Sequence, residues 1–342
     1  MKKMLSVLLA LVMVLALGAC ANTAAPAVPT DAPVTPTDAP AAKTLLRVGS
    51  LKGPTTMGIV KLMQDDKAGT AANDYEFTMA GTADAIVPLM VKGELDIALV
   101  PCNLASVLYN NTKGAVQVAG INTLGVLYVV ETGTSIQTVE DLRGLTIYST
   151  GKGTTPEYGL NYVLSMNGIN PASDVTIEFK SEATEVAAAL SSGAASVAVL
   201  PQPFVTAAMM QNENLRIALS LTEEWSKVNP ESAMLTGVVI VRKAFYEENP
   251  EAVKAFLSEY AASTQYVNEH PAEAAEWIAE LGIVAKAPLA QKALPACNIV
   301  MITGEEMKAK VSGYLSALYE QNPAAVGGTL PDDAFYLIPA VE

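Results

Sequence analysis

The segments LDIALVP (residues 95–101) and ASVAVLP (195–201) stand 100 residues apart. Each reads as a strand, an apolar run closed by proline. The repeat extends outward from them: Ala83 aligns with Ala183, Gly93 with Gly193, Ala98 with Ala198 and Pro101 with Pro201. Ile86 meets Val186, Ile97 meets Val197 and Leu99 meets Val199. Most other positions differ, so the signal lies in the agreement of order, spacing and turn residues.

The same order of elements surrounds both copies. LLRVGS (45–50), YEFTMA (75–80) and VQVAGI (116–121) accompany the first, and LTIYST (145–150), VTIEFK (175–180) and LRIALS (215–220) accompany the second. Strands alternating with helix-length stretches imply βαβ units and a largely parallel sheet in each copy. The expected fold is therefore α/β, with two similar lobes, each a mixed sheet flanked by helices. INTLGVLYVVE (121–131) carries the chain into the second lobe and MLTGVVIVRKAF (234–245) carries it back, which makes two hinge strands. Lobe 1 is then residues 44–124 with 235–342, and lobe 2 is 125–234.

After Lys243 the pattern is helical. Asn249 before Pro250 reads as a cap followed by proline at the first helical position. Thr303 with Glu306 has capping-box spacing, and Met307, Val311, Tyr314, Leu315 and Leu318 then share one face.

The N-terminus has its own logic. MKKMLSVLLALVMVLALGAC has two lysines, an apolar run from Met4 to Ala19 and small residues before Cys20, the pattern of an export signal over residues 1–19. That run is shorter than the roughly 20 residues of a spanning helix. Residues 20–43, with PTDAP at 29–33 and 36–40, lack the large apolar residues that offset chain entropy and read as an extended tether.

Composition narrows the function. The 342 residues are 51% hydrophobic and carry a net charge of −14, so the overall field attracts neither nucleic acid nor an anionic membrane surface. The single histidine, His270, and the distant Cys102 and Cys297 build no zinc constellation and no nucleophile–base pair unless His270 serves. The two cysteines could pair as a disulfide, which spacing alone leaves open. No cofactor is expected.

The remaining chemistry lies in strand-to-helix turns. KGPTT (52–56) and KGTTP (152–156) share Lys, Gly and Thr at equivalent places, and neither has the glycine spacing of a nucleotide loop. In an open α/β sheet such turns face the ligand crevice, where glycine admits close backbone approach and threonine either caps its helix or bonds a ligand. Gly53 and Thr55 in one turn and Gly153 and Thr155 in the other are the candidates, with Thr55 expected to face Thr155 across a closed cleft. Further polar turns hold Thr82, Asn103, Gln202 and Phe204, and Asn122–Thr123 interrupt the apolar hinge run.

LGAC at 17–20, the tether, and KGPTTMG, GELDIALVPCNLA, GINTLGVLYVVE, TGKGTTPEY and LPQPF together resemble the solute-binding lipoproteins of ABC importers. The nitrate, sulfonate, taurine and thiamine-precursor group is the nearest likeness, over nearly all of residues 45–342. The resemblance implies a type II periplasmic-binding-protein fold, lipidation at Cys20, and a monomer anchored on the extracytoplasmic face of the cell membrane that hands a small solute to a permease. It implies ligand contacts from Thr55, Thr56, Met57, Thr82 and Asn103 in lobe 1, from Thr123 at the hinge, and from Gly153, Thr154, Thr155, Gln202 and Phe204 in lobe 2. Sulfonates and other small organic anions, zwitterions and heteroaromatic rings all suit these side chains. An enzyme on the same fold, as in pyrimidine synthases, and a surface lipoprotein without transport function are the alternatives.

Overall fold

A computed structural model describes residues 43–338; the expected signal peptide, Cys20 and nearly all of the tether lie outside the described residues. Eleven strands are described: β1 Leu45–Leu51, β2 Asp74–Ala80, β3 Ile97–Pro101, β4 Val116–Leu124, β5 Leu127–Thr132, β6 Thr146–Thr150, β7 Thr176–Lys180, β8 Val197–Pro201, β9 Leu215–Ser220, β10 Leu235–Arg242 and β11 Ile299–Ile302. They form two mixed sheets, β11-β4-β10-β3-β1-β2 and β7-β6-β8-β5-β9.

The topology explains the repeat. In the first sheet β1 pairs in parallel with β2 and β3, and β10 enters antiparallel between β3 and β4. In the second, β6 pairs in parallel with β7 and β8, and β5 enters antiparallel between β8 and β9. The antiparallel strand of each sheet is thus a segment on which the chain has just crossed over. The crossings run through Gly125–Val126 and through the segment between the helix Leu221–Val228 and β10.

Local chemistry agrees with this layout. The helices Ala83–Lys92 and Ala183–Ser192 both end on a glycine with φ of 75°, Gly93 and Gly193, the left-handed conformation that glycine adopts without a side-chain clash. Ile86 and Val186 are fully buried at equivalent helical positions. On one face of the first sheet Val48, Leu99 and Val239 pack against Phe256 and Tyr260 of the helix Pro250–Glu269. The opposite face shares one apolar cluster with the second sheet, joined through Met307, Val311, Tyr314, Leu315 and Leu318 of the helix Gly304–Gln321.

The expected caps differ in detail. Asn249 precedes Pro250 at the helix start, but its side-chain amide donates back to Phe245 O at 3.3 Å, closing the preceding helix. Pro250 has no N–H to be capped. Thr303 stands at the predicted helix start, yet its side chain accepts no capping bond, and Gly304 follows it with φ of +67°. A reciprocal capping box forms instead at Thr138 and Asp141, ahead of the short 3-10 helix Val139–Leu142.

Each sheet is pinned by a buried carboxylate at the end of an interior strand, Asp96 before β3 and Glu131 in β5. Asp96, 1% exposed, accepts from Arg47 Nε at 2.8 Å, Arg47 Nη2 at 2.7 Å and Arg242 Nη2 at 2.6 Å. Burial alone would raise its pKa, but the two guanidinium groups hold it below the ordinary carboxylate range. Glu131 does the same in the second sheet, accepting from Ser135 Oγ at 2.8 Å, Ile136 N at 3.1 Å and Arg216. Cys102 and Cys297 are free thiols, each buried in a different apolar cluster, so the open question of a disulfide is answered in the negative.

Candidate functional site

The carboxyl ends of β3 and β8, where the repeat began, meet in space. Pro101, Asn103 and Leu104 from the first sheet and Thr154, Thr155, Pro156 and Pro201 from the second line one cleft of about 400 Å³. Val126 and Leu127 close it where the chain crosses between sheets, and Thr236 of β10 completes the wall. Its volume is in the ordinary range for a small-molecule site. A larger cavity of about 650 Å³ opens elsewhere on the first sheet, among Met90, Val116, Arg242 and Lys243, and receives no residue from the second sheet.

Three of the expected residues reach the cleft: Asn103, Thr154 and Thr155. Asn103 Nδ2 donates to Ala325 O at 3.3 Å, which leaves Oδ1 as an acceptor. Thr155 Oγ1 accepts from the Tyr314 hydroxyl at 3.5 Å and keeps its own proton to give. The Thr154 hydroxyl donates to Gly151 O at 2.6 Å, so it secures the turn. Gly153 holds φ of +75°, and its N–H donates to Glu157 Oε2 at 2.5 Å.

The first-lobe turn is arranged differently. Thr55 and Thr56 are buried and both hydroxyls donate to Leu51 O, while Met57 lies in an apolar cluster with Val60 and Val267. Thr55 is packed against Gly237 and Asn122, and it shares no wall of this cleft with Thr155. Gly53, with φ of +130°, has open space where a side chain would stand. Thr82 is exposed at the start of its helix with no capping bond. Gln202 is buried and accepts from Thr206 Oγ1 at 2.8 Å, and Phe204, 39% exposed, begins the next helix outside the cleft lining.

Asn122 and Thr123, at the end of β4 ahead of the crossing, are fully buried. Asn122 Nδ2 donates to Thr55 O at 3.1 Å and to the Tyr260 hydroxyl at 3.0 Å, while its Oδ1 and the Thr123 hydroxyl are buried without a partner. The β4–β10 register slips between Gly237 and Val238, opposite these residues. Such an irregularity re-aims side chains at the edge of a site. Thr236 was missed in the sequence because it lies inside an apolar run; its only signal is that it breaks that run, as Asn122 and Thr123 do.

His270 is exposed, stacked on Tyr266 and 3.1 Å from Tyr266 O. Among the described residues no group of three or more His, Cys, Asp or Glu could hold a metal ion.

A two-sheet fold with a cleft at the strand ends agrees with what the comparisons found. Residues 70–293 match the family described as ABC transporter, phosphonate, periplasmic substrate-binding protein. The chain belongs to that family. Among solved structures, an ABC transporter from Parabacteroides distasonis is 26% identical, with a TM-score of 0.73 over 87% of this chain and 100% of that one. The periplasmic aliphatic sulphonate-binding protein of Escherichia coli is 15% identical, with a TM-score of 0.65 over 83% of this chain and 94% of its own. The alkanesulfonate-binding protein of Xanthomonas axonopodis pv. citri, bound to MOPS, is 14% identical, with a TM-score of 0.59 over 85% and 96%. A search of curated proteins found no match. The fold is that of the periplasmic binding proteins, and the family is one of substrate-binding transport components rather than enzymes. Among the described residues no helix is long and apolar enough to cross a membrane.

Proposed function

We propose that this chain is the lipid-anchored, extracytoplasmic solute-binding component of an ABC importer. It is held through acylated Cys20 and the tether of residues 20–43, acts as a monomer, and delivers a small organic solute to membrane permease subunits. Lobe 1 comprises 44–124 and 235–342, and lobe 2 comprises 125–234. The observation that carries this reading is the cleft itself: the strand-end turns of both sheets converge on one space of about 400 Å³ beside the crossing at Val126–Leu127.

Capture follows from differential affinity. A solute touching Asn103 on one side and Thr155 on the other is bound best when the lobes are closed, and that difference alone drives closure. The permease then reads the closed form. Native mass spectrometry of the freshly purified chain tests the reading: a retained small molecule, lost on mild denaturation, is expected. Absence of any retained mass, together with no melting-temperature shift across a broad solute panel, would reject it. Replacing Cys20 by Ala should release the protein from the membrane fraction.

A further inference from the structure

The two sheets differ at one edge. Strands β2 and β7 hold equivalent edge places, each paired in parallel with one neighbour. Phe77 and Met79 of β2 match Ile177 and Phe179 of β7 at the offset of 100 residues. Side chains two apart on a strand share a face. In the first sheet that face is covered. Phe77 and Met79 pack in the cluster that holds Phe256 and Tyr260 of the helix Pro250–Glu269, and Glu259 of that helix accepts from the Tyr75 hydroxyl at 2.6 Å. The matching face of β7 instead borders a groove of about 440 Å³ against the helix Thr155–Met166.

Opposite charges and apolar surface meet in that groove. Val175, Ile177 and Phe179 supply the apolar surface, and Lys152, Glu157 and Asn161 the polar groups. Glu157 and Asn161 stand four apart on one helix, so they share its side. Glu157 accepts the Gly153 N–H on Oε2 at 2.5 Å and keeps Oε1 to accept again. Asn161 Oδ1 is buried without a partner in the chain, a costly arrangement that calls for a bond from outside it. The torsion that orients a terminal amide is soft, so either end of Asn161 can turn to an occupant.

A cation, a carboxylate and an unsatisfied amide beside an apolar strip complement a zwitterion with an apolar body. We propose that this groove is a second ligand site and takes a free α-amino acid with an apolar side chain. Lys152 receives the carboxylate, Glu157 Oε1 the ammonium, and Asn161 a further hydrogen bond from either group. Ile177 and Phe179 take the side chain. Both ligand charges are required, because a lone anion meets Glu157 and a lone cation meets Lys152. The groove has the volume of an ordinary small-molecule site. It shares no lining residue with the cleft, so the proposal goes beyond solute capture and does not rest on it.

The test uses three probes with one ring: L-phenylalanine, 3-phenylpropionate, which lacks the ammonium, and 2-phenylethylamine, which lacks the carboxylate. Affinities for the full chain are measured by calorimetry at low salt. L-Phenylalanine is expected to bind at least about tenfold more tightly than either single-charge probe. Lys152→Ala, at an exposed position, should weaken L-phenylalanine about fivefold and leave 2-phenylethylamine no weaker. Glu157→Gln should weaken L-phenylalanine and leave 3-phenylpropionate no weaker, and Phe179→Ala should weaken all three. No binding of L-phenylalanine, equal binding of a single-charge probe, or L-phenylalanine affinity undiminished in both Lys152→Ala and Phe179→Ala would overturn the proposal.

Discussion

A Cβ on Gly237 would stand 2.3 Å from Asn122 Oδ1 and 2.5 Å from Thr55 Cγ2. Strand β10 thus carries a glycine where β4 slips its register and where the first-lobe turn comes down onto the sheet. Gly237→Ala should destabilise the protein by about 1–3 kcal/mol through overpacking. Urea unfolding that leaves the midpoint unchanged would show that the turn moves aside freely.

Asp96 sets the acid limit. Its folded pKa is depressed, so its stabilising contribution is complete above the unfolded carboxylate value of about 3.9 and is lost as pH falls through the lower folded value. Glu131, also depressed, acts in the same direction. Stability should therefore be flat on this account near neutrality and fall below about pH 4. Asp96→Asn should cost about 3 kcal/mol, near the low end for a broken buried pair, because both arginines keep partial contact with water. The variant's unfolding free energy, compared at pH 7 and pH 3, should show a gap from the parent that narrows in acid.

Cys102 and Cys297 should be inert in the folded state. Burial pushes the Cys297 thiol up to about 12 and the Cys102 thiol higher still. A thiol reagent such as DTNB should label both at the global unfolding rate, and a reductant should leave the melting temperature where it was. Fast labelling of either thiol in native buffer would contradict their placement.

Thr155 offers a test of the proposed site that spares the fold. Its long contact to Tyr314, 3.5 Å, contributes little. On the proposed reading, Thr155→Val should weaken solute binding by about fivefold, the worth of one hydrogen bond of about 1 kcal/mol. The melting temperature of the ligand-free protein should stay within about 1 °C. An equal loss from Thr82→Val, at an exposed turn away from the cleft, would show that the site lies elsewhere.

The strands were legible because two physical constraints repeat at fixed spacing. Proline closes β3 and β8, and glycines with positive φ end the matching helices at Gly93 and Gly193. β11 carries weaker signals: it is four residues long and makes irregular contact with β4 alone. The lining of the candidate cleft was legible in part. Threonines at a strand-to-helix turn have two outlets for their hydroxyls, the local carbonyl and the cleft. Sequence types are identical for both, so Thr55 and Thr155 read alike, although one bonds Leu51 O and the other lines the wall. Thr236 and the apolar walls Val126 and Leu127 are ordinary strand residues until topology brings them to the crossing. Thr303 and Asn249 show the same limit for caps, since a correct position does not fix where a side chain turns.

The helix Gly304–Gln321 joins what the chain order keeps apart. Tyr314 reaches Thr155, Gln321 Nε2 donates to Tyr158 O at 3.1 Å, and Asn322 Nδ2 donates to the Tyr158 hydroxyl at 2.8 Å, across sequence separations of 159, 163 and 164 residues. During synthesis the turn at 152–156 emerges long before these partners exist. Contacts this distant in sequence form late and slowly. The turn that lines the cleft therefore acquires its backing only when the C-terminal segment arrives, and a nascent chain truncated before Gly304 would fold its sheets around a turn left unsupported from behind.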